Sequence, residues 1–276
     1  MKEYDKYLKL LKEKYPTKQS VYRELINLNA IMNLPKGTEH FMSDLHGEYD
    51  AFYHIINNCS GVIREKVAML YGDELTVYEQ QELCTLIYYP REKLSILMDE
   101  NKVNDEWYRN VLNQLIQIAK LLSSKYTRSK VRKAMPVDFA YIIDELIHAQ
   151  KDEDDNRSVY HRQIMETILS LHNGDEFLVA LTDLIKRLAV DHLHILGDIY
   201  DRGAHADKIL DLLMEHHSVD IQWGNHDILW MGAFCGNPVC MALVVRNNIK
   251  YKTMSILENG YGISLRFLLQ FAVNTY

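Results

Sequence analysis

Residues 191–203 read DHLHILGDIYDRG, a short apolar run that passes directly into a polar loop bounded by glycines. The run 191–196 is predicted as a β-strand because it is short and is followed at once by turn residues. Residues 206–217 have the apolar spacing of an amphipathic helix, and 219–223 are predicted as a second strand. A strand, a helix and a strand in this order form a β-α-β unit, which implies parallel strands with functional loops at their carboxyl ends. The expected fold class is therefore α/β.

Three predicted strands each end in a polar turn. A strand at 39–43 passes into DLHG at 44–47, and the strand at 219–223 passes into GNHD at 224–227. Because the carboxyl ends of parallel strands meet at one edge of a sheet, we expect the three turns to lie together. The pattern G-D-x-x-D-R-G in the middle turn arises by chance in a chain of this length on the order of 10⁻⁴ of the time. The turns therefore indicate a functional site rather than ordinary loop capping.

The donor groups in these turns suit divalent metal ions. Hard and borderline cations prefer carboxylate, imidazole and amide oxygen ligands, and no thiol occurs in any of the three turns. Asp44 and His46 lie two residues apart and can face one point, while Asp198 has two oxygens and can bridge two ions. Asn225 supplies a neutral ligand, which keeps the site positive enough to bind a phosphate. Arg202 has the forked donor geometry that fits phosphate oxygens.

Other polar residues of the turns have different expected roles. His226 adjoins a candidate ligand but points elsewhere, and Asp201 is a carboxylate suited to orient and charge it, so the two form a candidate acid pair. Asp227 is expected to cap a helix. His192 and His194 are expected to be ordinary strand histidines rather than metal ligands.

The three turns resemble those of the calcineurin-like metallophosphoesterases, in the branch that contains the phosphoprotein phosphatases. This resemblance covers about residues 44–60 and 190–235. The whole chain resembles one family of that kind, the class 3 fructose-1,6-bisphosphatases. The shared features are paired N-terminal helices, a large helical insertion, the DLHGE turn at 44–48 and the run GNHDILWMGA at 224–233.

The resemblance implies a fold, a site and a cofactor. The implied fold is the first half of a metallophosphatase β-sandwich flanked by helices, with a large all-helical insertion. Two divalent metal ions are implied, and manganese is the ion that the class 3 family suggests. The implied metal ligands are Asp44, His46, Asp198 and Asn225. The implied phosphate-binding residue is Arg202, and the implied catalytic pair is Asp201 and His226.

The implied activity is hydrolysis of the phosphomonoester of a sugar bisphosphate, from fructose 1,6-bisphosphate to fructose 6-phosphate in gluconeogenesis. A protein serine/threonine phosphatase or a dinucleoside-tetraphosphate hydrolase would share these motifs, although the long helical insertion disfavours both. An inactive fragment or an interaction module also stays open. The superfamily pattern continues with two later histidine-bearing turns, whereas His226 is the last histidine here. We therefore expect the chain to be incomplete at its C-terminal end and to have little activity alone.

Four segments are predicted along the chain. They are an N-terminal helical pair at 1–38, a strand-turn-helix with the first metal motif at 39–61, a helical insertion at 62–189, and a continuation of the phosphatase core at 190–276. Within the insertion, Thr76 and Glu79 predict a capping box for a helix over 77–88. The acidic stretch 151–157 is predicted as a solvated loop.

Composition excludes several classes of protein. Of the 276 residues, 47% are apolar and 25% are charged, as in ordinary globular domains, and the net charge is −7. An acidic chain is a poor candidate for binding nucleic acid or an anionic membrane, since both need clustered lysine and arginine. The charged N-terminus has no apolar signal region and no run is long enough to span a membrane, so we expect a cytoplasmic protein. Homo-oligomerisation is left open.

Overall fold

A computed structural model describes residues 2–149 and 155–276 of the chain. Its strands are β1 (Glu39–Met42), β2 (His192–Ile195) and β3 (Val219–Ile221). Short 3₁₀ turns lie at Cys59–Gly61 and Val137–Phe139, and a π-helical turn lies at Ile256–Gly260. The helices are α1 (Lys2–Lys14), α2 (Lys18–Ile31), α3 (Tyr49–Asn58), α4 (Val62–Tyr71), α5 (Val77–Tyr88), α6 (Pro90–Asp99), α7 (Asp105–Ser123), α8 (Arg128–Ala134), α9 (Ala140–Ile147), α10 (Asp155–Ser170), α11 (Gly174–Ala189), α12 (Ala206–Glu215), α13 (Asn225–Phe234), α14 (Pro238–Lys250) and α15 (Arg266–Thr275).

The three strands form one parallel sheet in the order β1-β2-β3. Met42 lies opposite Ile195 across the first pair of strands, and Ile195 lies opposite Ile221 across the second. The predicted α/β class is confirmed, although each strand is one or two residues shorter than predicted. In the second strand the ladder ends before Gly197, which adopts a φ of 93° and turns the chain away from the sheet.

One face of the sheet is covered by helices α3 and α12. Leu193 and Ile195 of β2 are buried on this face and belong to an apolar cluster with Phe52 of α3 and Ile209 of α12. Because side chains alternate along a strand, the neighbouring residues of β2 face the other side of the sheet. The alternation therefore determines on which face of the sheet each side chain of β2 lies.

The long helical block between β1 and β2 has its own apolar core. Helix α11 lies at its centre and buries apolar residues around most of its circumference, and α7 packs against it. The predicted capping box of α5 is confirmed: the Glu79 carboxylate accepts a hydrogen bond from the Thr76 N–H at 2.8 Å. The exact bounds of the four predicted segments stay a prediction.

The remaining segments differ in how far they are buried. Helix α2 begins at a capping box formed by Thr17 and Ser20 and buries no residue fully. Helices α13 and α14 pack together near a small apolar cluster that includes Val244, Leu257 and Leu265. Among the helices in the described ranges, none is both long enough and apolar enough to cross a membrane.

The predicted loop at 151–157 is partly wrong. Residues 150–154 lie outside the described residues, but α10 begins at Asp155 and includes the last three positions of the predicted loop. Charged and polar residues are as common on the exposed face of a helix as in a solvated loop. A prediction from charge alone therefore put the boundary between loop and helix at the wrong residue.

Candidate metal centre

The turns after β1 and β2 are joined by backbone hydrogen bonds that continue beyond the sheet. The Asp44 N–H donates to the Gly197 carbonyl at 3.2 Å, and the His46 N–H donates to the Asp198 carbonyl at 2.8 Å. The Gly47 N–H then donates to the loop after β2 at 2.8 Å. Because the two turns are bonded residue by residue, the side chains of the first and second motifs are held next to each other.

Two glycines allow the turns to approach this closely. Gly47 has a φ of 72°, and a Cβ atom there would overlap the backbone of Gly203. A Cβ atom at Gly224 would overlap both the carboxylate and the backbone N of Asp198. The third turn therefore lies directly against the second, as the sequence predicted for the carboxyl edge of a parallel sheet.

Asp44, His46 and Asp198 form a cluster whose donor atoms all lie within 4.8 Å of one another. The His46 Nε2 atom is 3.6 Å from Asp44 Oδ1. All three residues have left-handed backbone conformations, with φ values of 54°, 48° and 53° in chain order. Non-glycine residues in this region cost about 1–3 kcal/mol each and are concentrated at functional sites. Strain shared by the three predicted ligands fits a site whose geometry is imposed by the fold.

The cluster fits a divalent cation by the chemistry of its donors. Two carboxylates and one imidazole form an oxygen and nitrogen set that suits a borderline ion such as Mn²⁺ or Zn²⁺. The Ser43 hydroxyl donates to Asp44 Oδ2 at 2.8 Å, which leaves Oδ1 directed toward His46. Asn225 is the exposed first residue of α13, and the N–H of the next residue, His226, donates to Asp198 Oδ1 at 3.3 Å. The described residues thus offer three clustered donors for one ion, and Asn225 begins the helix that lies beside them.

Asp201 lies among basic groups beside this cluster. Its side chain is only 5% exposed, and its carboxylate oxygens lie 2.8 Å from Arg202 Nε and 3.5 Å from His226 Nδ1. His46 Nε2 is 3.9 Å from the same carboxylate. The Asp201 carboxylate raises the pKa of the Arg202 guanidinium through their hydrogen bond. The structure therefore brings together the predicted acid pair and places Arg202 on the same carboxylate, a contact that the sequence did not predict.

Asp227 links the second and third turns. Its carboxylate, 6% exposed, accepts hydrogen bonds from the Gly224 N–H at 2.8 Å and from the Tyr200 N–H at 3.1 Å. The first bond confirms the predicted helix cap. The second bond was not predicted from the sequence. The sequence shows an acidic residue at the third position of a helix, but it does not show which loop lies beside that residue.

Nearly the whole chain is similar to known proteins. Residues 6–276 match the family described as Firmicute fructose-1,6-bisphosphatase. The chain belongs to this family. A class 3 fructose-1,6-bisphosphatase of Clostridium beijerinckii is 53% identical over 286 residues, which cover 100% of this chain and 43% of that protein. Relatives of the same name from Listeria monocytogenes serotype 4b and Bacteroides fragilis are 54% and 51% identical, each over 98% of this chain and 41% of their own length. No solved structure matches the chain.

Family membership confirms the resemblance of the whole chain to the class 3 fructose-1,6-bisphosphatases. The chain spans about two fifths of the length of the curated relatives it matches. The roles of individual residues in this member of the family stay predictions, which the geometry makes testable. His192 and His194, expected to be ordinary strand residues, lie with Asp220 in a second cluster of potential metal donors on β2 and β3.

Proposed function

We propose that this protein is a metal-dependent phosphomonoester hydrolase that converts fructose 1,6-bisphosphate to fructose 6-phosphate and phosphate, a step of gluconeogenesis. The observation that carries the proposal is the cluster of Asp44, His46 and Asp198 at the carboxyl edge of the sheet, in a chain of the Firmicute fructose-1,6-bisphosphatase family. The same proposal places the protein in the cytoplasm. It also takes β1–β3 as part of one sheet of a metallophosphatase sandwich.

We infer that Asp44, His46 and Asp198 hold one divalent ion, and that Asp198 and Asn225 contribute to a second. Manganese is the proposed ion because the resemblance to the class 3 family suggests it, and carboxylates, an imidazole and an amide are compatible with it. When bound, such ions neutralise phosphate charge and act as Lewis acids on a phosphoryl oxygen. Asp198 is central to both sites, since its carboxylate already accepts the His226 N–H and lies against the third turn.

Arg202 is the proposed phosphate-binding residue. Its Nε–H donates to Asp201, so the N–H groups on the two terminal nitrogens remain to face an oxyanion. Asp201 thereby fixes the plane of the guanidinium. A planar, oriented guanidinium binds two phosphoryl oxygens at once, which lysine in the same place cannot do.

His226 is the proposed general acid. Its Nδ1 lies 3.5 Å from Asp201 Oδ1, so this carboxylate can orient the ring, and the proton on Nε2 is the one proposed for transfer. Transfer of this proton to the leaving oxygen of the sugar gives a neutral hydroxyl and leaves a neutral imidazole. Water resupplies the proton to the ring before the next turnover.

The proposal is tested by measuring phosphate release with Mn²⁺ or Mg²⁺ from fructose 1,6-bisphosphate, a phosphoserine peptide and diadenosine tetraphosphate. The 276-residue chain is assayed, with Asp198→Asn as the inactive control. We expect fructose 1,6-bisphosphate to be the preferred substrate. Preference for the phosphopeptide or the dinucleotide would replace the proposal with one of those activities.

A further inference from the structure

The sheet carries a second group of metal-binding side chains on the face opposite its apolar core. Leu193 and Ile195 are buried against helices on one face of the sheet. Because side chains alternate along the strand, His192 and His194 lie on the other face. In the parallel register, Asp220 of β3 lies directly opposite His194. The three side chains thus come from neighbouring positions on one surface, away from the turns that hold the first cluster.

The spacing of the donor atoms suits a metal ion. His194 Nδ1 is 2.8 Å from Asp220 Oδ1, and His192 Nε2 is 3.4 Å from Asp220 Oδ2. Ligands about 2.0–2.1 Å from a tetrahedral zinc ion lie roughly 3.3 Å from one another. All three donors lie within 4.8 Å of one another, and the 2.8 Å hydrogen-bond contact between His194 and Asp220 would lengthen when both atoms bind one ion.

Both imidazole rings are already oriented by other contacts. His192 Nδ1 is 2.6 Å from the Ser218 hydroxyl, and the His194 ring is stacked on Phe41 with centroids 4.3 Å apart. Hydrogen bonds from the second ring nitrogen to a hydroxyl or carboxylate are typical of metal-binding histidines, because they fix the tautomer and the direction of the free lone pair. When His192 donates from Nδ1 to Ser218, its Nε2 lone pair faces a carboxylate oxygen of Asp220. A cation between these two acceptors would remove their repulsion.

One buried atom points to the same state. His194 Nε2 is buried and has no hydrogen-bond partner, while Glu39 Oε2 lies 3.6 Å from it. If Nδ1 binds an ion, the ring proton resides on Nε2 and can be donated to Glu39 after a small rotation. In that state the buried Nε2 atom gains Glu39 as a partner, which it lacks when the only ring proton is on Nδ1.

We propose that His192, His194 and Asp220 form a binding site for a borderline divalent cation of the Zn²⁺ class, with Glu39 and Ser218 as the groups that orient the two rings. Two imidazoles and one carboxylate are a common ligand set for Zn²⁺, and a fourth position is open to water. The site is separate from the first cluster and does not depend on the proposed phosphatase activity.

The test measures Zn²⁺ binding to the 276-residue chain by isothermal titration, in a His46→Gln background that weakens the first cluster. We expect His192→Gln and His194→Gln to remove one equivalent of bound Zn²⁺ or to weaken its binding at least tenfold. Ser218→Ala is expected to weaken it roughly tenfold, because it removes only the orienting hydrogen bond. Replacement by Co²⁺ should give the intense visible absorption of a tetrahedral ion, which His194→Gln should abolish.

His148→Gln is the matched control. His148 Nδ1 lies 3.2 Å from an Asp144 oxygen, a histidine–aspartate pair of the same kind but without a second imidazole. Zn²⁺ binding should not change in this variant. Asp220→Asn, at an exposed position, repeats the test if a histidine variant does not fold. Unchanged Zn²⁺ binding in the folded cluster variants, or an equal loss in His148→Gln, would show only ordinary histidine–carboxylate pairs and overturn the proposal.

Discussion

Replacing Asp227 with alanine should destabilise the protein more than the loss of an ordinary helix cap would. The carboxylate accepts N–H bonds from Gly224 and Tyr200, and the residue is almost fully buried. A buried donor left without its acceptor costs about 1–3 kcal/mol. Both donors belong to half-buried residues, so water recovers part of this cost, and we expect Asp227→Ala to lower the free energy of unfolding by about 2–4 kcal/mol.

Urea-induced unfolding, followed by circular dichroism and tryptophan fluorescence, measures this loss. Glu79→Ala is the control, because Glu79 occupies the same position in the capping box of α5 but is exposed. Its loss should be about 0.5–1 kcal/mol, as for an ordinary helix cap. Asp227→Asn keeps one acceptor and should fall between the two. A cost for Asp227→Ala no larger than that for Glu79→Ala would refute the argument that its second hydrogen bond joins the two turns.

Three further predictions concern single side chains. In a form of the protein that hydrolyses phosphate esters, His226→Asn should lower kcat by roughly 10²–10⁴-fold on sugar phosphates and much less on aryl phosphates, whose leaving groups need no proton; equal losses would remove it from the role of acid. Arg202→Lys should lower kcat/KM roughly 10–100-fold without changing the bound metal, since the fork and not the charge is lost. Burial lowers the pKa of His216 to about 4, so its neutral form stabilises the fold above pH 6.5 and this contribution is lost as the pH falls toward 4. Because the ring is only partly buried, urea unfolding should show about 1 kcal/mol of this loss between pH 7 and pH 5, and His216→Gln should lack it.

Local sequence predicted those features that depend on a few neighbouring residues. The capping box at Thr76 and Glu79 was confirmed to the residue, because it needs only two side chains at a fixed spacing. The parallel sheet was predicted because an apolar run followed by a glycine-bounded turn and an amphipathic helix is compatible with few arrangements. The predicted strands were too long, because the left-handed backbone at Asp44 and Gly197 ends the hydrogen-bonded ladder before the apolar pattern ends.

Features that depend on register between distant strands could not be predicted in this way. His192 and His194 look like any alternating strand residues until β3 is paired with β2 in a register that puts Asp220 opposite His194. The bond from Tyr200 to Asp227 likewise joins residues 27 positions apart in two different turns. Both contacts require knowledge of which strand neighbours which, and that information is absent from either segment alone.

The two clusters on the sheet are held in position by different physical means. In the first, the backbone itself is constrained: Asp44, His46 and Asp198 adopt left-handed conformations, and tightly packed glycines keep the turns in contact. Such strain persists only when the surrounding structure over-determines it, and here the hydrogen bonds between the turns and the buried Asp227 carboxylate do so. In the second, His192 and His194 lie on regular strand backbone and only their rings are oriented, by Ser218 and Phe41. The fold therefore constrains the first cluster through its backbone, whereas rotation of two rings is enough to change the second.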